Sequence, residues 1–219
     1  MAPEDYFQTA FDILAERGPQ ALTTGHLCDR LKVTKGSFYY HFRNVEHFVE
    51  ELADYRECLF GDIRSALAAE PDPVRRLSSA INLAVAMPHE VEVAIRAWAR
   101  SNPVVGASQR RLDRDALSLV TATISGIVAD PESGAIIGRQ TVALLIGLQQ
   151  LDTHLDSTRA IHTVASFLEK TCLLEATMTT TDDTPTLELV RAGAGTVDRR
   201  VARNADADVE IPEVDDHRK

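Results

Sequence analysis

Cysteine, aromatic residues, positive charge and long apolar runs are all scarce in this chain. The three cysteines, at 28, 58 and 172 of 219 residues, form no CxxC pair and no metal-ligand spacing. That excludes a disulfide scaffold and a zinc ribbon. All three fall inside apolar helical patterns, so reduced core thiols in a cytoplasmic protein are expected. Aromatics make up 5% of a chain that is 44% hydrophobic, a balance suited to an Ala- and Leu-rich helical interior. No apolar run approaches the ~20 residues that span a bilayer. The first residues, MAPEDYFQTAFDIL, are acidic where a signal peptide is basic. Neither membrane association nor export is expected. Catalytic signatures are missing as well: no nucleophile–base pair, no usefully spaced carboxylates, no P-loop and no metal motif. The expectation is therefore no enzyme, no metal and no cofactor.

Lys and Arg number 23 against 33 Asp and Glu, a net charge of −10. Such a charge argues against a protein that coats nucleic acid. It leaves open one that reads a specific site, because only the contacting face must be positive and the remainder discourages non-specific binding.

One segment stands out, Leu22 to Phe42, LTTGHLCDRLKVTKGSFYYHF. Thr23 precedes an apolar pattern of Leu27, Cys28 and Leu31, and is placed to cap a helix. Thr34 is a second cap, with Lys35, Gly36 and Ser37 opening the next helix. Phe38 and Phe42 are four apart and share the face that anchors this helix. Lys35, Ser37, Tyr39 and His41 face the other way. Two short helices around a tight turn, the second bearing such residues, have the layout of a DNA-reading helix-turn-helix. Lys neutralises phosphate and reaches guanine edges, while hydroxyls and helix N-terminal N–H groups donate to phosphate. Arg30, Lys32, Lys35 and Arg43 make the segment locally basic. The alternative is an ordinary charged surface helix.

Ala21-Leu22-Thr23, Leu27, Val33-Thr34-Lys35-Gly36-Ser37 and Phe38-Tyr39-Tyr40-His41-Phe42 closely resemble the N-terminal domain of the TetR (tetracycline-repressor) family of bacterial regulators. The resemblance is specific from about Ala10 to Leu52. Beyond that it is one of architecture and length, with a weaker local echo at Val93 to Arg100. It implies an all-helical homodimer, each subunit having a three-helix DNA-binding head and a larger helical body that binds a small molecule. Carried over by position, Thr24, Thr34, Lys35, Ser37, Tyr39, Tyr40 and His41 fall where the family touches DNA. Lys35, Gly36 and Tyr39 are expected in the groove, and Thr24, Tyr40 and His41 on phosphates; Tyr40 has packing as its alternative.

Three departures mark the head. Lys32 stands where the family has Gly; a left-handed backbone there would strain it, and a phosphate contact would offset the strain. Val45 replaces a common phosphate-binding Lys. His26 and His47 occupy the third helical positions after the caps Thr23 and Asn44, where Glu is frequent. Two histidines make the DNA face less negative, so tighter binding at lower pH is one expectation, and two ordinary surface histidines the other.

Periodicity predicts an all-α chain with domains at 1–47 (head), 48–175 (effector-binding and dimerisation body) and 176–219 (Thr-rich linker and acidic tail). Helices are predicted at about 3–17, from Asn44 to about Ala69, at 73–86, after Pro88, from Val104 to about Ala129, from Pro131 to about Asp152, and from Asp156 or Ser157 to about Glu175. The fourth, with Phe48, Leu52, Tyr55, Leu59 and Ile63 on one stripe, would link head to body. Ala143 and Gly147, flanked by Leu144, Leu148 and Leu151, form a small-residue stripe. With Ile161, Val164, Ala165, Leu168 and Cys172 it would build a four-helix dimer interface. The alternative is that both stripes face their own core. Candidate effector contacts are Tyr55, Leu59, Ile63, Met87, Ile95, Trp98, Leu144 and Leu148, each with plain core packing as its alternative. The reading is a dimeric regulator, a repressor released from a palindromic operator by a small, largely apolar effector. The alternative is a helical dimeric ligand-binding or adaptor protein with weakened DNA binding.

Overall fold

The computed structural model describes residues 1–151 and 156–178, with no account of the side chains of Ser157 and 172–178. Cys172 and the predicted linker and tail therefore fall largely outside the described residues. The described residues form nine α-helices and no strand: α1 (Pro3–Arg17), α2 (Thr24–Leu31), α3 (Lys35–His41), α4 (Val45–Ala68), α5 (Pro73–Ala86), α6 (His89–Trp98), α7 (Pro103–Ser125), α8 (Pro131–Leu151) and α9 (Ser157–Met178). The all-α expectation holds. Among these helices none is long and apolar enough to cross a membrane.

Local chemistry explains most boundaries. Gly18 ends α1 at φ 73°, a conformation that glycine adopts freely, with its N–H bonded to Leu14 O. Asn44 caps α4 by accepting from His47 N at 2.7 Å. Asp72-Pro73 and Asn102-Pro103 open α5 and α7 in the same way. The carboxylate or amide oxygen takes the free N–H groups of Val74 (2.9 Å) and Val104 (3.0 Å), and proline fills the first helical position. One boundary differs from expectation: α7 stops at Ser125, short of Ala129. Gly126 and Ile127 bond to carbonyls three residues back, at 3.2 and 2.8 Å, tightening the chain into a turn.

Two cores form. The scarce aromatics gather in the first, where Tyr6, Phe7, Phe38, Phe42 and Phe48 pack edge-on, tilted or stacked with centroids 4.9–5.9 Å apart. Ile95 of α6 and Val105 of α7 complete it, so α6 and α7 pack onto α1 and α4. The second core joins α5, α7, α8 and α9 around Leu77, Ile81, Ile124, Ile137 and Val164. Crossing of α7 and α8 is close because Gly138 has no side chain: a Cβ there would lie 2.7 Å from Thr121 Cα.

Candidate DNA-reading head and body cavity

The turn between α2 and α3 is built from two side-chain caps and one strained residue. Thr23 Oγ1 accepts from His26 N at 3.2 Å, and Thr34 Oγ1 from Ser37 N at 3.4 Å. Between them Lys32 adopts φ 56°, ψ 42°. Its N–H bonds to Asp29 O, and Val33 N–H reaches back to Cys28 O at 3.0 Å. This pattern is a Schellman cap, which satisfies the last carbonyls of α2 and turns Val33 onto the core. Lys32 therefore does sit in the left-handed region that favours glycine, and its ammonium projects into solvent.

Phe38 and Phe42 bury their rings and fix the roll of α3. Lys35, Gly36, Tyr39 and Tyr40 are then exposed, Ser37 and His41 half-buried, and Thr34 exposed at the N-terminus. Tyr40 is 84% exposed and touches only the neighbouring His41 ring edge-on, with centroids 4.9 Å apart, so it is not part of the core. Thr24 is the exception among the expected contacts: at 9% exposure its side chain is withdrawn into α2. It follows the cap and turns toward the core side of the first turn.

Two features of the head escaped sequence reasoning. Tyr6, fully buried, donates its hydroxyl to Ser37 Oγ at 2.8 Å. With that lone pair occupied, the Ser37 proton is free to be donated outward. Arg30 is bound by Glu16 through two hydrogen bonds, one of 2.8 Å, and the Arg30 guanidinium holds the Glu16 carboxyl below the usual carboxylate range. The basic surface is thereby reduced to Lys32, Lys35 and Arg43. Burial pushes the Cys28 thiol up, consistent with a packing role. His26 Nδ1 lies 3.1 Å from Ala21 O, and His47 Nε2 lies 3.5 Å from Glu51. Val45 is half-buried against the head core.

A cavity of about 160 Å³ lies between α4, α5, α6, α7 and α8, walled chiefly by apolar side chains. Ile63 and Met87 line it. The other expected contacts do not. Tyr55 stacks on Phe7 at 4.9 Å, in the head. Leu59 is 40% exposed. Ile95 and Trp98 pack at the head–body seam beside a smaller cavity of about 20 Å³. Leu144 and Leu148 pack against the second core. On α4 the cavity is lined by Arg56, Phe60, Ile63, Arg64 and Leu67, so Ile63 is shared with the stripe that periodicity suggested while Arg56 and Phe60 stand one residue round from Tyr55 and Leu59.

A polar relay closes one end of the cavity. Glu92 Oε2 accepts from Arg56 Nη2 at 2.7 Å, and Gln109 Oε1 from Arg56 Nη1 at 2.8 Å. Gln109 Nε2 donates to Asp113 Oδ1 at 2.9 Å, and Arg96 donates to both Asp113 oxygens at 2.8 and 3.2 Å. The Arg56 guanidinium also lies 5.1 Å from the Phe60 ring centroid. Arg56, Glu92 and Gln109 are all buried. The signal for this relay was available: Arg56 lies four residues after Leu52 and four before Phe60, so a charge stands on the inward face of α4.

The small-residue stripe is divided. Nothing lies within 4 Å of a Cβ at Gly147, Ala143 is exposed, and Leu151 is 83% exposed. Leu144, Ile161 and Leu168 pack into the second core, and Ala165 with Ile161 and Leu168 faces α5. Intimate helix contact is made by Gly134 and Gly138 instead.

The family of bacterial regulatory proteins, tetR family, matches residues 7–52, the head and the start of α4. Over 76 residues the chain is 33% identical to the HTH-type transcriptional repressor KstR2 of Mycolicibacterium smegmatis, covering 34% of this chain and 37% of that one. Over 95 residues it is 33% identical to the tetracycline repressor protein class A from transposon 1721 of Escherichia coli, covering 34% and 44%. The matched region thus spans less than half the length of these curated relatives. The fold extends further: a transcriptional regulator from Rhodococcus sp. Rha1 superposes with a TM-score of 0.65 at 19% identity, over 84% of this chain and all of that one. By sequence, residues 7–52 match the tetR family of bacterial regulatory proteins, and the described helices as a whole share the fold of a solved transcriptional regulator.

Proposed function

We propose that the chain is a dimeric transcriptional regulator, a repressor that leaves a palindromic operator when a small, largely apolar effector fills the body cavity. The observation that carries this is α3: a helix anchored by Phe38 and Phe42, capped by Thr34, and presenting Lys35, Gly36, Tyr39, Tyr40 and His41 outward. In the proposed complex Lys35 and Tyr39 enter the major groove. Lys32, Ser37, Tyr40 and His41 donate to phosphates, and the α3 N-terminus adds its N–H groups. The two heads of a dimer would stand about 34–36 Å apart, one DNA turn. On this reading residues 1–47 form the head and 48–175 the body, and α8 with α9 supplies the twofold contact through Ala143, Gly147 and Leu151.

Coupling follows from linkage: an effector that prefers a conformer with another head spacing must weaken DNA binding by the same factor that DNA weakens the effector. Arg56 suits this role, because it lines both the main cavity and the seam with the head. The test is titration of the chain with palindromic DNA from around its own gene at several salt concentrations. Binding should fall steeply with salt. Lys35→Ala should weaken it and relax one base preference, whereas His41→Ala should weaken all sequences alike. If neither substitution changes DNA binding, the head does not read DNA. Capture of Arg30 by Glu16 and the Val45 position favour the second reading, a helical ligand-binding protein with weakened DNA binding; it predicts effector affinity without a salt-dependent DNA complex.

A further inference from the structure

We infer that the body cavity selects an uncharged ligand: a largely apolar molecule about the size of one aromatic ring, carrying a single hydrogen-bonding group that seats against Arg56 and Gln109. The inference rests on reading this cavity as the effector site. Its basis is a closed balance of charge. Three cations and three carboxylates line the cavity, and each cation is already paired: Arg56 with Glu92 at 2.7 Å, Arg96 with Asp113 at 2.8 Å, and Arg64 with Asp115 at 2.7 Å. No charge is left for an ionic ligand to neutralise.

The pairs are graded along the cavity. Arg56 and Glu92 side chains are each 8% exposed, while Arg64 and Asp115 are 50% and 51% exposed. Arg56 and Arg64 are eight residues apart on α4, about 12 Å along its axis. The deep end is therefore at Arg56 and the mouth at Arg64. A carboxylate or ammonium brought to the deep end must displace a partner and leave the displaced charge buried, a loss on the order of a hundredfold or more in affinity. At the mouth, water and salt screen any gain. A hydroxyl or carbonyl avoids both penalties. A guanidinium carries five N–H donors, of which Gln109 and Glu92 engage two on Arg56. The remaining donors serve an uncharged oxygen without breaking the relay. Size fits as well: the cavity of about 160 Å³ is close to the ~150 Å³ apolar cavity that holds benzene.

The experiment is calorimetric titration of the full chain at pH 7 with three near-isosteric probes: 2-phenylethanol, phenylacetate and 2-phenylethylammonium. The alcohol should bind at least tenfold more tightly than either ion. Glu92→Gln leaves Arg56 unpaired, so phenylacetate should gain at least tenfold relative to the alcohol. The inference is overturned if either ion binds the native chain as tightly as the alcohol does, or if none of the three binds at millimolar concentration. It is also overturned if folded Glu92→Gln keeps the native order. Should that variant not fold, the order on the native chain decides alone. The same samples are tested on palindromic DNA. Absence of DNA binding by the ligand-free chain overturns the regulator reading and leaves the ligand order standing, whereas DNA binding with ion preference overturns only the charge argument.

Discussion

At the scale of single residues, Lys32 combines a left-handed backbone with an exposed ammonium. A non-glycine residue in the left-handed region is strained by about 1–2 kcal/mol. Glycine would recover this but add unfolded-state entropy worth about 0.4–1 kcal/mol. Lys32→Gly should therefore stabilise the chain by on the order of 0.5–1 kcal/mol in urea unfolding. The same substitution removes an exposed ammonium beside α3. On the proposed function it should weaken DNA binding uniformly across sequences and lower the salt slope by about one. A variant that loses stability would show that the strain is absent, and one with unchanged salt slope that Lys32 touches no phosphate. Glu57 on α4 offers a second test. The Arg111 guanidinium, 2.6 Å away on α7, and then Ser108 hold its carboxyl below the usual carboxylate range. A depressed carboxylate adds stability above its unfolded pKa, and that contribution is lost as pH falls through the folded value. The pair should support the α4–α7 contact above about pH 4 and release it below. Both partners are part-exposed, so the effect is under about 1 kcal/mol. Glu57→Gln should flatten this limb of the stability–pH profile.

At the scale of elements, glycines separate helices that are packed from helices that are free. Gly138→Ala would push a Cβ to 2.7 Å from the Thr121 backbone. That contact cannot relax through a side-chain rotamer, so α7 and α8 must part, at about 1–3 kcal/mol. Gly61, in the interior of α4, has nothing within 4 Å of a built Cβ. Gly61→Ala should stabilise by about 0.5–1 kcal/mol through helix propensity alone. Opposite signs for two identical substitutions, read by urea denaturation, check the helix packing directly. Equal signs would mean that the α7–α8 crossing is looser than described. The caps belong to this scale as well. Thr23, Thr34 and Asn44 are legible as caps because capping needs only a few consecutive residues, whereas the structure adds Asp72 and Asn102. The end of α7 was misread because residues up to Ala129 keep an apolar pattern after the backbone has turned at Gly126.

At the scale of the whole molecule, Arg56 joins what the sequence presents as separate parts. It rises from the helix that leaves the head, bonds α6 through Glu92 and α7 through Gln109, and borders both cavities. Removing one member of a buried pair leaves an uncompensated charge. Arg56→Met should thus cost about 3–5 kcal/mol, whereas Arg56→Met with Glu92→Met should cost much less. If Arg56 carries the coupling, the double variant should fold, bind palindromic DNA, and no longer release it when the effector is added. Release at the native effector concentration would place the coupling elsewhere.

The sequence by itself determined the all-helical architecture, the helix starts and the outward face of α3. Each depends on neighbours within one or two turns of helix: a cap and its N–H, or two phenylalanines four apart. The tetR-family head was legible for the same reason. The tertiary structure decided the cavity. Which face of α4 looks inward depends on how α4, α5, α7 and α8 roll against one another, and a rotation of one residue replaces Tyr55 and Leu59 with Arg56 and Phe60. It also decided that Thr24 is covered, that Glu16 takes Arg30, and that Tyr6 holds Ser37 from 31 residues away. Such partners are distant in the chain, and only the packed core brings them within hydrogen-bond reach.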